Sequence, residues 1–425
     1  MKNAATRGQP RALAEVDSMI LGRAPHAVML VGPGSTGKTT LALDLAAGLL
    51  CNDPDPGARP CRVCRGCRQV ASGNHPDLHR LAPDGPGGQI RIGKASDPEP
   101  GTVRHLIGEL ALLPVEGGAR VVIVEEAHRL NDDAQNALLK MLEEPPAGVT
   151  IVLCADDEEC LLPSVRSRCV RVRMGAVGGR EIERWLGELG VADAPRAARL
   201  ARLADGRPGL ALAYARSVDA ERLRGEIARG ILDMLAVGRQ ARLVAVRELT
   251  KSAAALDAAL DSGRGNLSAT ADEGTAPVTN RGRKGKAAKA AAADPGEAAA
   301  AAADEAAAPK LAAADRRSAA AALVSIWASV GRDLAVARAG GVKRLREMEL
   351  LDELPAIAPA VSAATLASFL TQLAAIDRQL DENVNPELAL DVLALSWPHI
   401  EPTAGAPTAG AVGPTAASTS TPAHR

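Results

Sequence analysis

Two groups of residues in this sequence have the types and spacing for chemistry. The first is Gly32, Pro33, Gly34, Ser35, Thr36, Gly37, Lys38 and Thr39, which satisfies the pattern G-x-x-x-x-G-K-[ST] at every required position. Such a run lets the backbone curl until successive N–H groups face a phosphate, at the positive end of the helix that follows. Lys38 would reach the β- and γ-phosphates and the Thr39 hydroxyl would hold magnesium, with Thr40 completing the set. The expected ligand is ATP or ADP with Mg2+.

The second group is Cys51, Cys61, Cys64 and Cys67. Two-residue gaps let neighbouring thiolates turn onto one ion, and the longer gap closes the knuckle. Four protein ligands leave no open position, so the expected ion is a structural zinc. Arg62, Arg65 and Arg68 lie among the ligands and would offset the charge of four thiolates.

Both groups need a scaffold, and residues 1–175 supply its pattern. AVMLVG (27–32) is a short apolar run ending in glycine, and LALDLAAGLL (41–50) after it is helical. RVVIVEEA (120–127) and TIVLCAD (150–156) are further buried-strand candidates, rich in β-branched residues. Strands alternating with helices imply a parallel, doubly wound sheet, an α/β P-loop domain. The Cys-rich knuckle lies in a Gly/Pro-rich stretch, 51–101, that interrupts this alternation. At the end of the second candidate strand, RVVIVEEA, Glu125 stands where an acid would hold the magnesium shell. Glu126 stands where a carboxylate would polarise the attacking water. Two adjacent acids there would also suit the first turn of a helix.

The remainder reads as helical. Residues 176–235 show helical periodicity in REIERWLGELG and RAARLARLA and form a small helical domain. Residues 236–257 and 318–400 carry further amphipathic helices. Between them, 258–317 is dominated by Ala, Gly, Asp, Lys and Pro and reads as a disordered insertion, as does the tail 401–425. The basic cluster Arg281, Arg283, Lys284, Lys286 and Lys289 in the insertion would either touch phosphates or be a solvated charge run.

The bulk numbers exclude several classes. Net charge is −1, so there is no overall electrostatic footprint for nucleic acid. Only five residues are aromatic (Trp185, Tyr214, Trp327, Phe369 and Trp397), so recognition by base stacking is not expected and any core must be built from Leu, Val, Ile and Ala. The N-terminal MKNAATRGQP has no apolar segment, and no run of about 18 apolar residues is evident, so no membrane and a cytoplasmic location are expected.

Taken together, these residues resemble the bacterial clamp-loader subunits. A P-loop, a four-cysteine knuckle after its helix, an acidic strand followed by NDDAQNALLKMLEEPP (131–146), and Ser167-Arg168-Cys169 within LLPSVRSRC (161–169) follow the layout of that family. Within it, GNHPDLHRLAP (73–83), ADGRPGLALAYA (204–215) and ENVNPELALDVLAL (382–395) look like the delta-prime branch rather than the gamma/tau motor branch. The resemblance covers about 1–250 and 318–400. It implies an AAA+ domain with a zinc knuckle, a helical lid and an all-helical collar. It also implies partnership with gamma/tau and delta subunits in a hetero-pentameric ring of the DNA-directed DNA polymerase III holoenzyme. That ring loads the sliding clamp on primed DNA. Arg168 would then be an arginine finger, completing a neighbour's ATP site in trans.

Three departures bear on mechanism. Ala155, followed by Asp156, stands where motor subunits sense the γ-phosphate. Gly209 stands where they carry an arginine reading the nucleotide in cis, with Arg207 two residues earlier. Glu125 replaces the usual aspartate. Nucleotide binding is therefore expected to survive better than hydrolysis, and ATPase activity of this chain alone to be weak or absent. The alternative is a gamma/tau-like motor that hydrolyses ATP itself. A P-loop ATPase of unrelated purpose would explain neither Ser167-Arg168-Cys169 nor the C-terminal helix.

Overall fold

A computed structural model describes residues 1, 3–83, 88–94, 96–110, 114–116, 118–265, 313–381 and 384–400. The first unit is a five-stranded, all-parallel sheet flanked by helices. Helix α1 (Pro10–Leu21) precedes β1 (Ala27–Val31), which runs into α2 (Lys38–Leu49). A short α3 (Arg65–Ala71) carries part of the cysteine knuckle, followed by β2 (Leu78–Leu81) and α4 (Val103–Leu110). Next come β3 (Arg120–Val124), α5 (Asp132–Glu143), β4 (Val149–Ala155), α6 (Pro163–Arg166) and β5 (Val170–Arg173). The strand order is β2-β3-β4-β1-β5, and every pairing is parallel.

The strands are buried runs of Val, Ile, Leu and Ala, as a sheet covered on both faces requires. Val28, Leu30, Val121, Ile123 and Val152 face α1 and α2, while Ala27, Met29, Val122, Val124 and Ile151 face α4 and α5. Helix α5 begins where the Asn131 side chain accepts a hydrogen bond from the Ala134 N–H at 2.9 Å. Because β1 lies between β4 and β5, the strand order reverses around it. The carboxyl ends of β1, β3 and β4 therefore open onto one crevice, the usual ligand position of such sheets.

The helical part follows. Helices α7 (Gly179–Glu188), α8 (Ala194–Leu203), α9 (Pro208–Arg216) and α10 (Val218–Asp233) lead into α11 (Arg239–Gly265). After the undescribed residues come α12 (Ala313–Arg338), α13 (Leu354–Ile357), α14 (Ala363–Asp381) and α15 (Pro386–Ser396). Helix α10 packs on α11 and α12, and the buried apolar residues from Val177 to Trp397 form one continuous cluster.

Two expectations need correction here, and one helix has the length of a membrane span. Helix α11 runs through 258–265, where an insertion was expected, because Ala253, Leu256 and Leu260 continue a buried stripe. Helix α12 likewise begins at Ala313. The rest of the insertion, with its basic cluster, and the tail lie outside the described residues. The core is also not purely aliphatic. Trp327, Phe369 and Trp397 gather in it with ring centroids 5.8, 5.8 and 4.6 Å apart, and the Trp397 indole N–H donates to the Ile231 carbonyl at 3.1 Å. Finally, the segment Asp315–Arg338 is long and apolar enough to cross a bilayer. Leu323, Trp327, Val330 and Leu334 within it are fully buried in the bundle, as in the core helix of a folded domain.

Candidate functional site

The P-loop lies between the buried end of β1 and the start of α2, as the sequence pattern requires. Gly37 has φ +99°, a conformation that strongly favours glycine, and Ser35 also has positive φ at 60°. Lys38 is buried, with its ammonium held by two carbonyls and one carboxylate. Nζ donates to the Gly32 carbonyl at 2.6 Å and the Pro33 carbonyl at 2.9 Å, and pairs with Asp156 Oδ1 at 2.7 Å. Asp156 stands directly after β4, and its own N–H donates to His128 Nδ1 at 3.4 Å.

The two acids after β3 are directed elsewhere. The Arg80 guanidinium on β2 donates twice to Glu125 Oε1, at 2.8 and 2.6 Å. Glu126 adopts φ 48° and accepts from Arg129 Nε at 2.7 Å. Thus Asp156, not Glu125 or Glu126, is the carboxylate on Lys38. The sequence placed Asp156 only beside the sensor position. A carboxylate directly after a buried strand carries no distinctive signal until strand order sets β4 beside β1.

The helical domain closes onto the same loop. The Gly209 N–H in the first turn of α9 donates to the Ser35 carbonyl at 3.0 Å. A Cβ at Gly209 would stand 3.1 Å from that oxygen and 3.4 Å from Ser35 Cβ, so glycine permits the approach. Arg207 is turned away, with Nε donating to the Ala204 carbonyl at 3.1 Å. Burial and the nearby Arg224 hold its pKa below the ordinary arginine value.

Arg168 follows α6, in the turn before β5. Its guanidinium pairs with Glu143 at 2.7 Å and donates to the Ser164 carbonyl at 2.9 Å, and its side chain is about one-third exposed. Its hydrogen bonds and ion pair among the described residues go to Ser164, Ser167 and Glu143, not to the P-loop of its own chain.

The four cysteines do come together. Their Sγ atoms all lie within 4.8 Å of one another, and Cys51 and Cys64 are 3.9 Å apart. A tetrahedral zinc with Zn–S distances of about 2.3 Å sets sulfur atoms about 3.8 Å apart, so the cluster fits. Backbone N–H groups of Cys61, Cys64 and Cys67 point at the sulfurs of Cys51, Cys61 and Cys64, at 3.5, 3.4 and 3.3 Å. Burial pushes the Cys64 thiol up, but the backbone N–H groups of Cys67 and Asn52 and the thiols of Cys67 and Cys61 outweigh it and bring its pKa to about 6. Burial pushes Cys67 and Cys51 upward.

The arginines among the ligands do not serve the thiolates in the expected way. Arg62 pairs with Asp44, a fully buried acid on α2 whose two oxygens also accept from the N–H groups of Ala5 and Thr6 at 3.0 and 2.9 Å. Arg65 lies 3.8 Å from Glu116. The knuckle is thereby stitched to the P-loop helix, and Cys67 adds a contact from Sγ to the Ala47 carbonyl at 3.7 Å. His75 and Asp77, from the segment 73–83, are structural. Asp77 accepts from the N–H groups of Val115 and Glu116 at 2.7 and 2.9 Å and lies 3.5 Å from Arg120.

Comparison with known proteins agrees with this layout. Residues 8–177 match the family described as DNA polymerase III, delta subunit. A Pseudomonas aeruginosa protein named DNA polymerase III subunit delta' is 37% identical over 171 residues, 40% of this chain and 49% of that protein. The Bacillus subtilis subunit delta' is 35% identical over 193 residues, 45% of this chain and 54% of its own length. The Salmonella typhimurium subunit tau is 36% identical over 205 residues, 47% of this chain and 30% of its own length. The chain thus spans about half the length, or less, of these relatives. Over residues 8–177, its P-loop and knuckle domain, the chain is similar to the clamp-loader subunits of DNA polymerase III.

Proposed function

We propose that this chain is a delta-prime-like, non-motor subunit of a clamp-loading ring, which holds nucleotide without turning it over and lends Arg168 to a neighbour's ATP site. The observation that carries this reading is the disposition of the acids. Lys38 is paired to Asp156, while Glu125 and Glu126 are engaged by Arg80 and Arg129. A P-loop ATPase needs one carboxylate on the magnesium shell and another polarising water. Neither acid after β3 is free for that task as it stands.

When ATP or ADP with magnesium binds, the residues that would hold it are the 32–37 backbone, Lys38, Thr39 and Thr40. The nucleotide supplies the phosphoryl group and the metal its charge screening. The chain's own part is to give up the Lys38–Asp156 pair and turn the loop N–H groups to the phosphates. Gly209 contributes only a backbone contact to this site, and no side chain there can read the γ-phosphate.

A finger acting in trans must sit on an exposed rim and be loosely held. Arg168 is about one-third exposed and its pair with the half-exposed Glu143 contributes at most ~1 kcal/mol, which supports that role. Ring contacts through the collar are supported by the exposed apolar row Leu388, Val392 and Leu395 on α15. The partners in this reading are gamma/tau and delta subunits, with the sliding clamp and primed DNA engaged through the assembled cytoplasmic complex. The zinc at Cys51, Cys61, Cys64 and Cys67 is structural, bracing α2 from behind.

The second reading, a gamma/tau-like motor, is favoured by the complete P-loop and by the likeness to the Salmonella typhimurium subunit tau. Steady-state ATP hydrolysis by the purified chain, with and without primed DNA and beside Lys38→Ala, separates the two. Background turnover in both proteins is the expected result. Robust turnover abolished by Lys38→Ala would establish the motor.

A further inference from the structure

A cleft of about 340 Å³ lies where three parts of the chain meet. Its walls are the connection from β5 to α7, the end of α8 with the turn at Asp205–Gly206, and α12 with the turn 342–346. Five cations line it (Arg202, Arg332, Lys343, Arg344 and Arg346), and Asp205 is the one acid on its wall.

These cations are incompletely neutralised. Arg346 pairs with Asp205. Arg332 reaches Asp333 Oδ1 at 2.7 Å and the Arg344 carbonyl at 3.3 Å. Arg202 donates to the thioether sulfur of Met348 at 3.3 Å, a weak acceptor for a guanidinium. Lys343 and Arg344 are exposed, and neither side chain has an ion-pair partner among the described residues.

The wall is also rigid. Asp333 is fully buried, and its Oδ2 accepts from the N–H groups of Arg346 and Glu347 at 2.6 and 2.8 Å, which fixes the turn carrying the cations. Burial, together with the neighbouring Arg332, holds Arg346 below the ordinary arginine pKa. Like charges crowded in this way gain from an anion between them.

We propose that this cleft is a phosphate-binding site, distinct from the P-loop, taking the backbone phosphates of a nucleic acid strand or the same groups of a free polyphosphate. No aromatic side chain lines it, so it has no surface for stacking a base and reads phosphate without sequence. A phosphate there would touch the connection to the sheet domain, α8 and the collar turn together, so its binding would fix the angle between those parts. The inference stands on the cleft alone and does not depend on the ATPase reading.

The test uses the full chain carrying Lys38→Ala, so that the P-loop is disabled. Binding of a fluorescein-labelled 20-nucleotide single strand and of the corresponding duplex is followed by anisotropy, and binding of inorganic pyrophosphate by calorimetry. Adding Lys343→Glu and Arg344→Glu, both on an exposed turn, should weaken binding at least tenfold. If duplex DNA is the ligand, it should also reduce the slope of log K against log salt by about 2. Reversing two cations away from the cleft, Arg11→Glu and Lys251→Glu, should leave affinity within about twofold. Binding of pyrophosphate but not DNA would identify a free polyphosphate as the source. The inference is overturned if neither probe binds, or if the cleft and distant reversals have equal effects.

Discussion

The Lys38 ammonium sits 2.7 Å from the Asp156 carboxylate, so a side chain of this protein holds the cation that the P-loop motif assigns to phosphate. Asp156 comes from the end of β4, which pairs with β1 through Val31 and Ala155. The pair is thus set by sheet order, and any nucleotide must compete with it.

That competition is measurable. Asp156→Asn removes the negative charge while keeping the side chain's volume. Asp156 is about half-exposed, and exposed pairs contribute at most ~1 kcal/mol, so nucleotide affinity should rise by up to about fivefold. Titration with a fluorescent ATP analogue reads this directly. An affinity that falls would mean that Asp156 helps to hold the ligand.

The knuckle should behave as a structural zinc site. Cys64→Ser should lose the metal by elemental analysis and lower the thermal midpoint by several degrees, since one thiolate of a closed tetrahedron is gone. Because Arg62 and Cys67 brace α2, the amide protection of α2 should fall as well. Wild-type protein prepared without chelators and found free of zinc would contradict the assignment.

Stability should depend on acid pH through Asp77. Burial alone would raise its pKa, but the N–H groups of Glu116 and Val115, with Arg120, outweigh burial and hold it below the usual carboxylate value. A depressed pKa contributes stability that is present above the unfolded value of about 3.9 and lost as pH falls through the folded value. Asp77→Asn should therefore cost ~2–3 kcal/mol in urea denaturation at pH 7, where it leaves Arg120 without its buried carboxylate. The gap between the two proteins should narrow as pH falls below the unfolded carboxylate value and through the lower folded one, and a constant gap would show that charge is not the cause.

The contact between the lid and the P-loop can be tested at one atom. A methyl group at Gly209 would stand 3.1 Å from the Ser35 carbonyl, so Gly209→Ala should cost ~1 kcal/mol and speed amide exchange at residue 209. Exchange as slow as in the wild type would show that the loop yields without losing the hydrogen bond.

Much of this was legible in the sequence because the signals are local. The P-loop and the four cysteines are defined by spacing within 8 and 17 residues, and the buried strands by their β-branched runs. What was not legible depends on distant partners. Glu125 meets Arg80 only because β2 and β3 pair, and Arg62 meets Asp44 only because the knuckle folds back on α2. The residues 258–265 read as an insertion because Ala and Gly carry no periodic signal, yet Leu260 extends the buried stripe. The five aromatic residues offered no pattern in the chain, and three of them meet only when α12, α14 and α15 pack together.

The measurement closest to the central claim is ATP turnover by a ring reconstituted from gamma/tau-type motors, a delta subunit and this chain, with and without Arg168→Ala. The substitution removes a partly exposed pair with Glu143 and hydrogen bonds to the Ser164 carbonyl and the Ser167 hydroxyl, all within the surface turn, so folding and assembly should be intact. An arginine finger lowers turnover at its site about a thousandfold or more when removed. The account predicts loss of the neighbouring site's contribution to ring turnover, with the isolated chain at background throughout. Unchanged ring turnover with Arg168→Ala, from rings shown to assemble fully, would contradict it.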